Sequence, residues 1–146
     1  MAPLIALLVG TAAARLAGFF GLEHFDAWPV SVAVGVFCMF TLTGIVHFVP
    51  SFRAWMIEMI PPKLPAPALL VTVSGVLELA GAVGVLIPAT RTAAGIGLAL
   101  LLVAMFPANV SAARRGVLIQ GRPPTPVPLR AAEQALYIAA ALVAAL

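Results

Sequence analysis

Residues 67–87 read PALLVTVSGVLELAGAVGVLI, a run in which Glu78 is the only ionisable side chain. About twenty consecutive apolar residues carry a helix once across the hydrocarbon core of a bilayer. A carboxylate near the middle of such a span costs at least about 2.5 kcal/mol on insertion scales, so it faces a bundle interior and has a partner there. The stretch therefore sets two expectations together, a transmembrane helix and other helices around it that supply a polar lining.

Four further apolar stretches, 4–20, 29–49, 92–113 and 129–146, flank it, separated by polar or proline-rich breaks. With 63% hydrophobic and 9% charged residues, the chain departs from soluble domains, in which about a quarter of residues are charged. Lipid is the expected solvent, and the spans use nearly the whole length, which predicts one compact transmembrane domain. Backbone groups in lipid must bond within their own segment or a closed barrel, and no alternating barrel pattern is present, so the fold class is all-α, a polytopic transmembrane helix bundle. The first stretch has no lysine or arginine ahead of its apolar region, and Leu16–Phe20 continues past the small triplet Ala12-Ala13-Ala14. It reads as a span rather than a cleaved signal peptide.

Arg53, Lys63, Arg114, Arg115, Arg122 and Arg130 fall on the side of the N-terminus, while Arg91 and the acidic pair Glu23 and Asp26 fall on the other, with Arg15 reaching toward it from the first span. By the positive-inside rule this predicts a cytoplasmic N-terminus and an outside C-terminus, as a multi-pass protein of a bacterial cytoplasmic membrane. These arginines are topology signals, and without aromatics interleaved in a basic patch no nucleic-acid partner is expected. Cys38 is the only cysteine, which excludes intrachain disulfides and cysteine-rich metal sites.

In the second loop Phe52, Trp55, Met56, Met59 and Ile60 recur at i, i+3, i+4, i+7 and i+8 after Pro50 and the potential cap Ser51. This predicts a short amphipathic helix along the cytoplasmic membrane surface. Pro61, Pro62, Pro65 and Pro67 then hold off further helix until the third span. Pro123, Pro124, Pro126 and Pro128 stiffen the fourth loop.

The polar side chains within the spans are the candidate site. Ser74, Glu78 and Gly81 share one face of the third span, so Ser74 offers Glu78 a hydroxyl one turn away. Arg130, Glu133, Gln134 and Tyr137 form a stripe on the last span, in which Arg130 and Glu133 can pair and Gln134 and Tyr137 lie deeper, within reach of the third span. Thr43, Gly44 and His47 share a face at the end of the second. Pro107 interrupts the fourth span beside Asn109, as a kink satisfied by neighbours or as a pocket wall. His47, Asn109, Arg130 and Gln134 all fall in the cytoplasmic half of their spans, with Glu78 deeper, which predicts a cytoplasm-facing polar pocket. Two readings of Glu78 stay open, a hydrogen-bonded tie between helices and a proton-handling or ligand-binding carboxyl. No catalytic motif is complete, and His47 lacks the companions a metal site needs.

The motifs Gly44-Ile45-Val46-His47-Phe48, Met59-Ile60-Pro61-Pro62-Lys63-Leu64-Pro65, Ser74-Gly75-Val76-Leu77-Glu78, Leu86-Ile87-Pro88 with Arg91, Phe106-Pro107-Ala108-Asn109, and Arg130 with Gln134 follow in that order. In order and spacing they resemble the DoxX family of small bacterial membrane proteins, from about Val34 to the C-terminus. The resemblance implies a four-helix core, to which this chain adds an N-terminal span. It also implies a membrane subunit or anchor of a redox assembly, quinone-linked or thiol/sulfur-linked, as in the subunits associated with thiosulfate:quinone oxidoreductase. The chain has no flavin, haem or iron–sulfur motif of its own, so such a role implies an oxidoreductase partner carrying the cofactor, with a quinone or lipid as the bound ligand. Two other classes compete: a transporter or permeation path for a small solute or protons, and a scaffold without activity. Gly81 and Gly84 permit close helix contact either within the chain or in a homo-oligomer.

Overall fold

Lipid supplies no hydrogen-bond partners, so each apolar stretch closes its own backbone into a helix. In the computed structural model, which describes residues 1–146, the chain forms α1 (Ala2–Phe19), a 3₁₀ turn (Glu23–Phe25), α2 (Trp28–Val46), α3 (Pro50–Met59), α4 (Pro67–Leu86), α5 (Arg91–Arg115) and α6 (Val127–Ala144). All but α3 and the turn are long and apolar enough to cross a membrane, which makes this a multi-pass membrane protein. The expected spans are met to within a few residues, and the deviations have local causes. α2 stops at Val46 because Pro50 forces the preceding Val49 out of the helical region, to φ −80° and ψ 120°. α5 runs on to Arg115 through Pro107 and ends where Gly116 takes the left-handed conformation, φ +65°.

The amphipathic helix expected in the second loop is α3, and none of its residues is fully buried. Ser51 makes no capping bond. Val49 occupies the cap position and Pro50 the first turn, where a missing N–H costs nothing. The fourth loop is more than a proline spacer: Ile119 and Arg122 exchange backbone hydrogen bonds across Gln120 and Gly121, both at positive φ, a type I′ turn.

Consecutive spans pack antiparallel, and α6 returns to α2, so α2, α4, α5 and α6 close a four-helix ring. α1 lies outside that ring against α2 and the 3₁₀ turn. This is the expected four-helix unit with one appended helix. Glycines set the close seams. Gly81 accommodates Leu98, and a Cβ at Gly84 would stand 2.8 Å from that of Ala94, so both glycines are used against α5 of the same chain.

One half of the ring is apolar, packed with Val36, Met39, Phe40, Val85, Leu98 and Ala141. The half nearer α3 carries the polar side chains. Arginines fasten the ends by donating to carbonyls near helix termini, several of them in last turns that leave carbonyls free. Arg53 of α3 donates from Nη1 to the His47 carbonyl (3.1 Å) and from Nη2 to the Ala68 carbonyl and Thr72 Oγ1 (2.8 Å each), joining α2, α3 and α4. Arg115 donates to the Glu58 (2.5 Å) and Ile60 (3.1 Å) carbonyls at the end of α3. At the opposite end Arg15 donates to the Phe25 and Asp26 carbonyls and lies over the Trp28 ring, 4.7 Å from its centroid. Arg53 and Arg115, two of the charges that set topology, thus also hold helix ends. Lysine lacks the planar fork, so Arg53→Lys should loosen α3 and cost about 1–2 kcal/mol, seen as a lower thermal midpoint in detergent and faster proteolysis at Lys63.

Candidate polar site between α2, α4 and α6

Antiparallel pairing fixes which residues share a depth. A Cβ on Gly44 would lie 2.8 Å from Leu79 and 3.3 Å from the Cβ of Glu78, and one on Gly75 would lie 2.6 Å from the His47 Cβ. The end of α2 therefore lies directly on the middle of α4, and its Thr43 and His47 side chains enter the space around Glu78.

Glu78 is 3% exposed and His47 4%. Thr43 Oγ1 donates to Glu78 Oε2 at 2.5 Å, and His47 Nδ1 lies 4.0 Å from the same oxygen. His47 Nδ1 is also 2.8 Å from the Thr43 carbonyl oxygen. A carbonyl can only accept, so Nδ1 carries the proton, and in the neutral ring Nε2 is the acceptor. The protein gives Nε2 no partner, and it gives none to Glu78 Oε1 or the hydroxyl of the buried Tyr137. None of these three atoms is sealed from solvent without a partner; the one buried side-chain polar atom left without one is Trp55 Nε1 on α3.

Gln134 lies one turn from Tyr137 on α6 and donates from Nε2 to the Leu102 carbonyl at 2.7 Å. Its partner is α5, where the sequence placed it within reach of the third span. Pro107 deprives α5 of one backbone donor, to the Val103 carbonyl, and Gln134 ties α6 to the neighbouring Leu102 carbonyl in that turn. Closer to the α3 end, Arg130 donates from Nε to Asn109 Oδ1 (3.2 Å) and from Nη1 to Glu133 Oε2 (3.2 Å). That ion pair is the one its i, i+3 spacing suggested. Arg130 makes no hydrogen bond or ion pair with Glu78. The Arg130 side chain is 35% exposed, so the α3 end of the group is open.

The structure therefore gathers His47 with Glu78, and Asn109 with Arg130, while Gln134 and Tyr137 line α6 between them. Ser74 is not part of the group: its hydroxyl donates back to the Val71 carbonyl at 3.0 Å, within its own helix. The hydroxyl that serves Glu78 belongs to Thr43. Thr43 was visible one turn before His47 on the same face, but a threonine in an apolar helix satisfies itself so readily that spacing alone did not nominate it.

The α2–α4 seam gives a direct test of this geometry. Gly75→Ala should cost about 1–3 kcal/mol, because the added methyl meets the His47 Cβ and the Phe48 ring and both sit on backbone that must move. The histidine ring resonances of a labelled sample would report the displacement alongside the lowered midpoint.

Comparison with known proteins places the polar group inside one family. A family model described as Domain of unknown function (DUF8561) matches residues 36–145, from the middle of α2 to the end of the last helix. No curated protein and no solved structure matches the chain. Every residue of the polar group falls within the matched segment, and α1 falls outside it. With about three quarters of its length matched, the chain belongs to the family of Domain of unknown function (DUF8561).

Proposed function

We propose that the protein is a DoxX-like membrane subunit or anchor of a redox assembly, quinone-linked or thiol/sulfur-linked, in a bacterial cytoplasmic membrane. Its N-terminus lies in the cytoplasm, and the α3 end of its polar site faces the cytoplasm, in keeping with the concentration of Arg53, Lys63, Arg114, Arg115, Arg122 and Arg130 there. The observation that carries the reading is Glu78, a buried carboxyl bonded to a neutral hydroxyl and set 4.0 Å from an imidazole. A tie between helices needs only the Thr43 bond. The imidazole with a free acceptor nitrogen, the second carboxyl oxygen and the tyrosine hydroxyl go beyond that need.

A quinone presents carbonyl oxygens that accept hydrogen bonds, and it takes up one proton per electron on reduction. The residues here suit that chemistry. Tyr137 has a hydroxyl to donate, and Glu78 and His47 can hold and pass protons. At 4.0 Å the pair is beyond hydrogen-bond length, and a small rotation of either side chain closes it. Arg130, partly open to water, adds a positive charge near the site, and Asn109 and Glu133 hold it in place. Electrons come from a partner subunit carrying a cofactor.

Native mass spectrometry of the protein extracted gently from its own membranes tests the proposal. A co-purifying quinone or a flavin- or metal-bearing oxidoreductase is the expected result. A chain that carries phospholipid alone, and whose Glu78→Gln variant shows Glu78-dependent flux loss in liposomes, would replace this reading with the transporter. Phospholipid alone with no flux would leave the scaffold.

A further inference from the structure

At the end of the bundle opposite α3, a cavity of about 230 Å³ opens between the Glu23–Phe25 turn, the start of α2 and the α4–α5 junction. Phe25, Val34 and Leu86 make its wall apolar, while His24 and Arg91 are its only ionisable lining residues. No carboxylate lines it. The two nearest in sequence, Glu23 and Asp26, are exposed and form no ion pair with Arg91.

Arg91 is held but not used up. Its Nε donates to the Val85 carbonyl at 3.1 Å, which fixes the guanidinium at the cavity while both terminal amino groups find no partner in the protein. The other arginine at this end, Arg15, differs: its Nη1 is committed to the Phe25 and Asp26 carbonyls, and its face to Trp28. His24 is exposed and packs edge-on against Phe25, ring centroids 5.2 Å apart, which leaves its ring nitrogens free.

From this arrangement we infer that the cavity binds a phosphate-type anion, with Arg91 and His24 donating to its oxygens and the Val34–Leu86 wall taking the carbons attached to it. A guanidinium fork fits phosphate oxygens bidentately, and such charge-assisted bonds are about twice as strong as neutral ones. The volume lies below the roughly 300–1,000 Å³ of sites that enclose a whole small molecule. It therefore accepts a head group and its first carbons while the remainder stays outside. A phospholipid and a free phosphate share this chemistry. The site is independent of Glu78 and of the redox reading, since it lies at the other end of the bundle and shares no residue with the polar group.

The test uses the full chain, delipidated in a neutral maltoside detergent and titrated by native mass spectrometry with short-chain phosphatidylglycerol and, in parallel, with inorganic phosphate. One saturable site is expected. Arg91→Gln should weaken it about tenfold, the loss of one charge-assisted interaction. Because Arg91 also braces Val85, a second variant, Val34→Phe, fills the cavity with Arg91 intact and should weaken binding as much. Arg53→Gln, at the far end, should leave it unchanged. Tighter binding of phosphatidylglycerol than of phosphate, with both sensitive to Arg91, identifies a lipid head group. Equal binding identifies soluble phosphate. The inference is overturned if neither probe saturates, or if affinity is the same in Arg91→Gln and Val34→Phe as in the parent.

Discussion

Under the proposed redox role, replacing Glu78 by glutamine should slow turnover of the partner oxidoreductase by about 10²–10⁴-fold, the usual contribution of a positioned acid or base, while the thermal midpoint barely moves. The amide is nearly isosteric and keeps an oxygen to accept from Thr43, so the helix tie survives and only proton exchange is lost. Thr43→Val should act in the opposite sense. It leaves the carboxyl in place but removes its one hydrogen-bond donor, at about 1–2 kcal/mol of stability, with a smaller effect on turnover. Measuring turnover and melting for both variants separates a reacting carboxyl from a fastening one. Equal turnover in the parent and Glu78→Gln, with a clear loss of stability, would assign Glu78 to the scaffold role.

The second large effect concerns α1. Thr11 and the Leu7 carbonyl of α1 press directly on Gly35, where even a Cβ would lie 2.5 Å from that carbonyl oxygen, and at Gly10 it would lie 2.9 Å from Cys38 Sγ. The opposing atoms at Gly35 include backbone, so they have no rotamer to retreat into. Gly35→Leu should therefore separate α1 from α2, costing 3 kcal/mol or more on the scale of about 1–3 for ordinary overpacking. Cys38, the only thiol, reports the event, because it is half-buried under Gly10 in the parent. Maleimide labelling should be slow in the parent and fast in Gly35→Leu. If labelling is unchanged, α1 does not depend on this seam. The ring of α2, α4, α5 and α6 should persist in the variant, since α1 contributes Leu7 alone to the buried core cluster, with Leu4 and Ala6 packed at its edge.

Much of the fold was legible because hydropathy and length decide it: a run of apolar residues in lipid has no choice but helix, and prolines mark where every helix but α5 begins. The burial of Glu78 followed from the same cost argument. The Arg130–Glu133 pair followed from helical spacing, which is local. What could not be read was which neighbour each polar group would choose. Helical spacing pointed to Ser74 as the hydroxyl for Glu78, but Ser74 turned back onto its own helix and Thr43, from α2, took the place. Gln134 went to α5, where Pro107 had removed a backbone donor from the helix. Arg53 looked like a charge for topology, and its bonds from α3 to α2 and α4 required knowing where α3 lies.

The sequence by itself determined the five membrane-spanning helices, the amphipathic helix between the second and third, and the interior position of the carboxylate. Those properties depend on each segment's own solvation and hydrogen bonding. Tertiary structure alone decided that α6 returns to α2 to close the ring, that Gly81 and Gly84 are spent on α5, and that Thr43 and His47 meet Glu78. Each of these depends on helix faces approaching to glycine distance, a relation between segments far apart in the chain. Lipid solvates all the apolar faces alike, so hydropathy leaves that choice open and only packing shape makes it.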